Sequence, residues 1–167
     1  MTGIAEKPLL FLDVDGTVVP FSRQGGDRSA AGASDPYLAA MRSDLGDRLA
    51  ALPCELVWAT TWEDEANTVL APLLGLARLR VVHWPEPSTE KELEDRWFSL
   101  HWKTRPLAAW ASGRPFAWVD DEITDADIDW VAARHDDRAL LHPVDPSRGI
   151  THRDLEALAD WLRRAGG

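Results

Sequence analysis

The chain has little of what would tie it to an oxidising compartment, a metal finger, a membrane or a polyanion. Of its 167 residues one is cysteine. Cys54 has no internal partner, which excludes an intramolecular disulfide and suits a reducing, cytoplasmic setting. The five histidines, His83, His101, His135, His142 and His152, fall at no ligand spacing and are expected to be packing or surface residues. There is no Cys/His zinc pattern and no Gly-x-x-x-x-Gly-Lys run. No stretch approaches 18 apolar residues, and Met1–Pro8, with Glu6 and Lys7, has no signal-peptide pattern, so no membrane partner is expected. Basic residues are outnumbered, 18 Lys+Arg against 28 Asp+Glu, for a net charge of −10. That excludes strong non-specific binding to nucleic acid but not a small basic pocket. With 11 Gly and 11 Pro, collagen-like and wholly disordered chains are excluded too. One tyrosine and four phenylalanines stand against nine tryptophans.

What is present is an ordinary globular composition, 45% hydrophobic and 28% charged. The length matches a single domain of residues 1–167, at roughly 150 residues per domain, with a core that needs no covalent staples. Short apolar runs read as buried strands at 9–14, 55–59, 79–83, 116–119 and 139–142. Between them lie helical patterns. Asp35-Pro36 reads as an N-cap and first helical residue, followed by Leu38, Met41, Leu45, Leu49 and Leu52, and Pro53 ends that helix. Thr61 can cap a helix through Ala66, Val69 and Leu70 that Pro72 ends or kinks. Thr89 and Glu92 read as a capping box. A short helix spans Pro106 to Ala111 and another about Asp125 to Arg134. Thr151 caps the last, through Leu155, Leu158 and Leu162. Residues 21–35, rich in Gly, Ser and Asp, read as a mobile loop. The alternation predicts an α/β, Rossmann-like three-layer fold around a mainly parallel five-stranded sheet. In such sheets ligands sit outside the carboxyl ends of the strands.

The residues at those ends are unusual. The first strand runs into Asp13-Val14-Asp15-Gly16-Thr17, two carboxylates leaving a buried strand together. Acids there are costly without a cation or hydrogen bonds. An Asp-Gly hairpin turn is the alternative; an EF-hand loop places its glycine sixth rather than fourth. After the second strand come Thr60 and Thr61, either phosphate-binding hydroxyls beside a helix start or plain caps. Lys103 stands before a helix; an isolated lysine is commonly a solvated surface residue. The fourth strand ends in Asp120-Asp121-Glu122, either a cation site or a solvated acidic turn.

In this order, acid pair, hydroxyl, lysine, acid pair, the chain resembles the haloacid dehalogenase (HAD) superfamily of phosphohydrolases. Asp13-Val-Asp-Gly-Thr17 is similar to its first motif, and Thr60, Lys103 and Asp120-Asp121 to the other three. More narrowly, Trp58-Ala-Thr-Thr-Trp62, Trp102-Lys-Thr-Arg105 and Trp118-Val-Asp-Asp-Glu122 resemble the HAD domain of Swiss-army-knife-type RNA repair proteins.

The resemblance implies a Mg²⁺-dependent phosphatase. Asp13 would be the nucleophile, forming an aspartyl-phosphate, and Asp15 the general acid and base. Thr60 and Lys103 would hold the phosphoryl oxygens, with Gly16, Thr17 and Thr61 also on the substrate side. Asp13, the Asp15 carbonyl and Asp121 would ligate the metal, with Asp120 second-placed or acting through water. The two positions where relatives carry a cap, 18–54 and 62–102, have no room for a separate domain, so a cap-less enzyme is expected. Its substrate would be a phosphorylated small molecule or a nucleic-acid (RNA) end. A non-catalytic phosphate- or phosphoprotein-binding module is the alternative of another class, and both Asp13 and Asp15 speak against it. C–Cl hydrolysis fits the acid pair and the missing cap poorly. Trp62, Trp84, Trp97 and Trp102 are read first as packing residues and second as stacking surfaces for a base or an aromatic leaving group. Arg23, Arg28, Arg105 and Arg148 could add local positive charge.

Overall fold

A computed structural model of the chain describes residues 6–21, 35–135 and 138–167. All but the ends of the predicted loop at 21–35, and with it Arg23 and Arg28, lies outside the described residues. Five parallel strands form one sheet: β1 (Leu9–Leu12), β2 (Glu55–Trp58), β3 (Arg80–Val81), β4 (Phe116–Asp120) and β5 (Ala139–Pro143), in the order β3-β2-β1-β4-β5. The chain leaves β1 toward one side and returns to its other side with β4. The topological switch point therefore lies at the central strand, where this class of sheet binds its ligands.

Six α-helices accompany the sheet among the described residues: α1 (Leu45–Ala50), α2 (Ala71–Leu74), α3 (Thr89–Trp97), α4 (Thr104–Ala111), α5 (Asp125–His135) and α6 (His152–Ala165). Strand parity sorts the core into two layers. Leu10, Leu12, Ala117 and Val119 pack with Leu45, Leu49, Leu70, Leu155 and Leu158, from α1, α6 and the segment before α2. Leu9, Phe11, Phe116 and Trp118 pack with Leu107, Ala111, Trp130 and Val131 of α4 and α5. All four residues of β1 are fully buried, and each such side chain contributes roughly 1.5–3 kcal/mol of burial. This is the three-layer α/β arrangement expected.

Several boundaries differ from the sequence reading, each for a local reason. The helix expected from Pro36 to Leu52 is broken into a 3-10 turn at Leu38–Ala40 and α1, because Met41 is extended at ψ 142°. The break lets α1 press Gly46 against the Leu74 carbonyl, where a Cβ would come within 1.7 Å. Asp35 accepts from the Tyr37 amide at 2.9 Å, so its capping bond starts the 3-10 turn rather than a long helix. After β2 the hydrogen bond to the backbone is accepted by Thr60 from Trp62 N, 3.2 Å, and not by Thr61, which is exposed. The helical stretch that follows is a π-turn at Ala66–Leu70 giving way to α2, with Pro72 in the first turn of α2. A proline lacks the amide needed to continue a regular ladder. Ser88, not Thr89, caps α3, accepting from Lys91 N at 3.3 Å. Helix α4 begins at Thr104, and Pro106 is tolerated in its first turn. The third strand shrinks to Arg80–Val81. The cap expected at Thr151 is present, and Asp154 completes it as a capping box.

Candidate active site

The register of the sheet assembles the site. Leu12 pairs with Trp58 on one side and Val119 on the other. The next residues along, Asp13, Ala59 and Asp120, therefore share one level at the carboxyl edge. Asp13 N donates to Val119 O at 3.3 Å and Ala59 N to Leu12 O at 2.8 Å. By strand parity Asp13 follows Leu9 and Phe11, and Asp120 follows Phe116 and Trp118, so both acids fall toward the layer of α4 and α5. Lys103 stands at the N-cap of α4 on that same side. Its Nζ donates to Asp13 Oδ1 at 2.7 Å and to Asp120 Oδ2 at 2.8 Å. The three residues are 4%, 5% and 1% exposed for Lys103, Asp13 and Asp120. Lys103 is thus a buried bridge, not the solvated lysine that its type suggests.

Around this bridge the Asp13–Thr17 loop closes tightly. Thr17 Oγ1 donates to Asp13 Oδ2 at 3.2 Å. Gly16 has φ +75°, and a Cβ there would meet Asp121 Oδ2 at 2.5 Å. Only glycine allows this loop to pass so close to the second acid. Asp13, Asp120 and Asp121 each offer a carboxylate oxygen within 4.8 Å of the others. Burial, reinforced by Asp120, raises the Asp13 carboxyl to about 6 despite Lys103. Burial, then Asp120 and Asp13, raises Asp121 to about 7. Burial opposes the charge on Lys103, yet Asp13 and Asp120 together hold its pKa above the ordinary value. One cation against three carboxylates leaves an excess of negative charge that a hard divalent ion with oxygen ligands fits.

Asp15 stands apart from the bridge. Its carboxylate accepts from the Tyr37 hydroxyl and from Trp62 Nε1, the latter at 3.3 Å to Oδ1 and 3.2 Å to Oδ2. Burial first, then Asp15, pushes the Tyr37 phenol well above its usual value, so it stays a donor. Trp84 Nε1 donates to the Thr60 carbonyl at 3.0 Å and holds the end of β2. Trp102, exposed, packs edge-on to Trp84 with ring centroids 4.8 Å apart. Trp97 points outward, 84% exposed. Arg105 is turned to Asp95 and Glu94 of α3, and Arg148 is exposed.

Three contributors escaped the sequence reading. Tyr37 carried no local signal. Asp127, fully buried, accepts from His101 N, Thr104 Oγ1, Thr124 N and Thr124 Oγ1 at 2.7–2.9 Å. It ties the segment bearing Lys103 to the loop after β4. Its signal was readable, since Thr124-x-x-Asp127 has capping-box spacing. His101, whose Nε2 lies 2.8 Å from Glu122 Oε2, crosses the same seam.

A parallel sheet with a switch point at β1, and an Asp-x-Asp loop bridged by a buried lysine to a second acid pair, define a HAD-type hydrolase fold. Residues 9–155 match the family described as the HAD domain in Swiss Army Knife RNA repair proteins, and the chain belongs to that family. No curated protein and no solved structure matches the chain. The family supports a phosphatase-type hydrolase with a phosphorylated substrate, and the acidic cluster fits a divalent metal. Among the described residues no helix is long and apolar enough to cross a membrane.

Proposed function

We propose that residues 1–167 form one cytoplasmic, Mg²⁺-dependent phosphomonoesterase that works through an aspartyl-phosphate. The observation that carries this reading is the Lys103 bridge, which holds Asp13 just past β1 against Asp120 at the end of β4. Asp13 attacks phosphorus as the bond to the leaving oxygen breaks, and Asp15 gives that oxygen a proton. Water then attacks the acyl phosphate, Asp15 takes its proton, and inorganic phosphate leaves with the Asp13 carboxylate restored. Lys103, Thr60 and the Gly16–Thr17 backbone orient the phosphoryl oxygens, with Thr61 beside them. Mg²⁺, held by Asp13, the Asp15 carbonyl and Asp121, with Asp120 nearby, would supply charge neutralisation between carboxylate and phosphate.

For the substrate we propose a nucleic-acid end phosphate, RNA above all. The family supports it, and Trp102, exposed beside Lys103 with its ring 5.6 Å from Nζ, offers a face for a terminal base. The net charge of −10 supports the second reading, a nucleotide or small-metabolite phosphatase that meets one phosphate at a time. The test is phosphate release, with Mg²⁺ and with EDTA, from mononucleotides, ribose 5-phosphate and 3′- or 5′-phosphorylated oligonucleotides. Preference for oligonucleotide ends supports the first reading. Equal or lower kcat/KM than for mononucleotides selects the second. No release from any of them would leave a phosphate-binding module.

A further inference from the structure

We infer that Tyr37 and Trp62 are positioning residues that clamp Asp15 from two sides and reserve its Oδ2 for proton transfer to the leaving group. The inference rests on the proposed phosphatase reading. It concerns two side chains that lie on neither the nucleophile nor the cation cluster. Tyr37, the chain's single tyrosine, reaches Asp15 from the start of the 3-10 turn; Trp62 reaches it from the turn after β2. The two segments are far apart in sequence, and each places one donor on the same half-buried carboxylate.

The division of the two oxygens is informative. Oδ1 takes the Tyr37 hydroxyl and a share of the indole N–H, and Oδ2 takes only the other share. A carboxylate oxygen that accepts a hydroxyl bond and part of an N–H bond is poorly disposed to carry the transferable proton. Oδ2 keeps lone-pair capacity. The clamp therefore selects one oxygen and holds the carboxyl group in one rotamer, which is what a general acid needs at hydrogen-bond reach of the departing oxygen. In the first half-reaction the proton leaves Oδ2 as the phosphorus–oxygen bond breaks. In the second, the same oxygen receives the proton of the attacking water.

A clamp of this kind predicts a dependence on the leaving group. An aryl oxide departs with little protonation, whereas an alkyl alkoxide needs it. Tyr37→Phe and Trp62→Phe are to be compared with the parent chain on p-nitrophenyl phosphate and on ribose 5-phosphate. The readout is kcat/KM, which ends at departure of the leaving group. The expected result is a loss of about tenfold or more on the alkyl ester and under about threefold on the aryl ester, general-acid catalysis being worth about 10²–10⁴ in rate. In an Asp15→Asn background, Tyr37→Phe is expected to cost nothing further, because residues acting as one unit are non-additive. Equal losses on both esters, or an additive loss in the double variant, would overturn the clamp. Asp15→Asn alone serves as the reference. If it loses equally on both esters, Asp15 is not the general acid, and the failure belongs to the proposed mechanism as well as to the clamp. Both positions are only half-buried and the changes are conservative, so melting temperatures are expected to stay within a few degrees.

Discussion

Arg114–Glu55 at the amino edge of the sheet and Lys103–Asp120 at its carboxyl edge are both cation–carboxylate pairs, 3.1 Å and 2.8 Å long. Their surroundings are opposite. At the amino edge Arg80 also reaches Glu55 at 3.3 Å and Arg114 reaches Glu6 at 3.6 Å and the Lys7 carbonyl. Charges there are matched and in contact with water, around a cavity lined by Lys7, Cys54 and Arg80. Burial pushes the Cys54 thiol up to about 12, so it is a poor nucleophile. At the carboxyl edge the charges are buried and unmatched. One lysine faces three acids, and two of those acids are driven up toward neutral pH. Such an imbalance destabilises the folded chain by itself. The sheet tolerates it at the edge proposed to bind a substrate and a cation, and avoids it at the opposite end.

The comparison is broken most severely at Asp13. Asp13→Asn is expected to lower phosphate release by at least about 10³-fold, since the proposed nucleophile is lost. The melting temperature of the metal-free protein should hold or rise, because a buried carboxylate in an acidic cluster has been removed. A purified variant retaining more than about a tenth of the rate, a deficit below about 1.4 kcal/mol, would move the nucleophile elsewhere. Lys103→Met comes next. It keeps the buried stem but leaves Asp13 and Asp120 without their shared donor. The expected loss is about 10²-fold or more, as for deletion of a group that stabilises charge in the transition state. Added Mg²⁺ should not restore it; full rescue would mean that any positive charge suffices.

Sharper still is the response of the edge to protons and metal. Asp13 and Asp121 have folded-state pKa values above their ordinary value of 3.8. Between that value and about 7 the folded chain binds more protons than the unfolded one. Stability of the metal-free protein therefore rises as pH falls from about 8 to about 5. Asp44, Asp145 and Asp154 are shifted down, and their contribution is lost only below the ordinary carboxylate range. Melting curves in EDTA across this range check the sign. Mg²⁺ should flatten or reverse the slope, because a cation that needs ionised acids competes with the protons. In Mg²⁺ titrations at pH 7, Asp121→Ala should shift the midpoint more than Asp120→Ala, since Asp120 is already engaged by Lys103. The reverse order would exchange their roles.

The two edges were not equally legible in the sequence. Short apolar runs flanked by turn residues exposed all five strands, because a buried parallel strand must be apolar on both faces. The acids at 13, 15, 120 and 121 stood out because carboxylates that end such runs need compensation. What stayed hidden depended on contacts between distant segments. Nothing around Tyr37 announces that it turns back to Asp15, and the helix expected to carry it breaks at Met41 for the sake of packing at Gly46. Trp62 read as packing or stacking, yet its ring N–H is spent on Asp15. Lys103 was expected in the site from the resemblance, but its type suggests a surface residue, and only the shared level of β1 and β4 shows why it is buried and bonded to Asp120 as well as Asp13. Asp127 gave a capping signal, but its second use, gripping His101 and Thr104, depends on where α4 starts.

The smallest effect is expected where the comparison says charge is merely structural. Arg114 has 18% of its side chain exposed and bonds to Glu55 and the Lys7 carbonyl. Its ion pairs lie at the solvent-facing rim of the sheet, where such a pair is worth about 0–1 kcal/mol. Its bonds to a backbone oxygen add about as much again. Arg114→Ala is therefore expected to cost under about 2 kcal/mol of unfolding free energy in urea, a loss that shrinks with added salt. It should leave kcat and KM for p-nitrophenyl phosphate unchanged, since the residue lies at the opposite end of β1 and β4 from Asp13 and Asp120. A loss of several kcal/mol would show that the amino edge carries charge as tightly coupled as that of the site. A change in kcat at unchanged stability would show that the central strands transmit strain from one edge to the other.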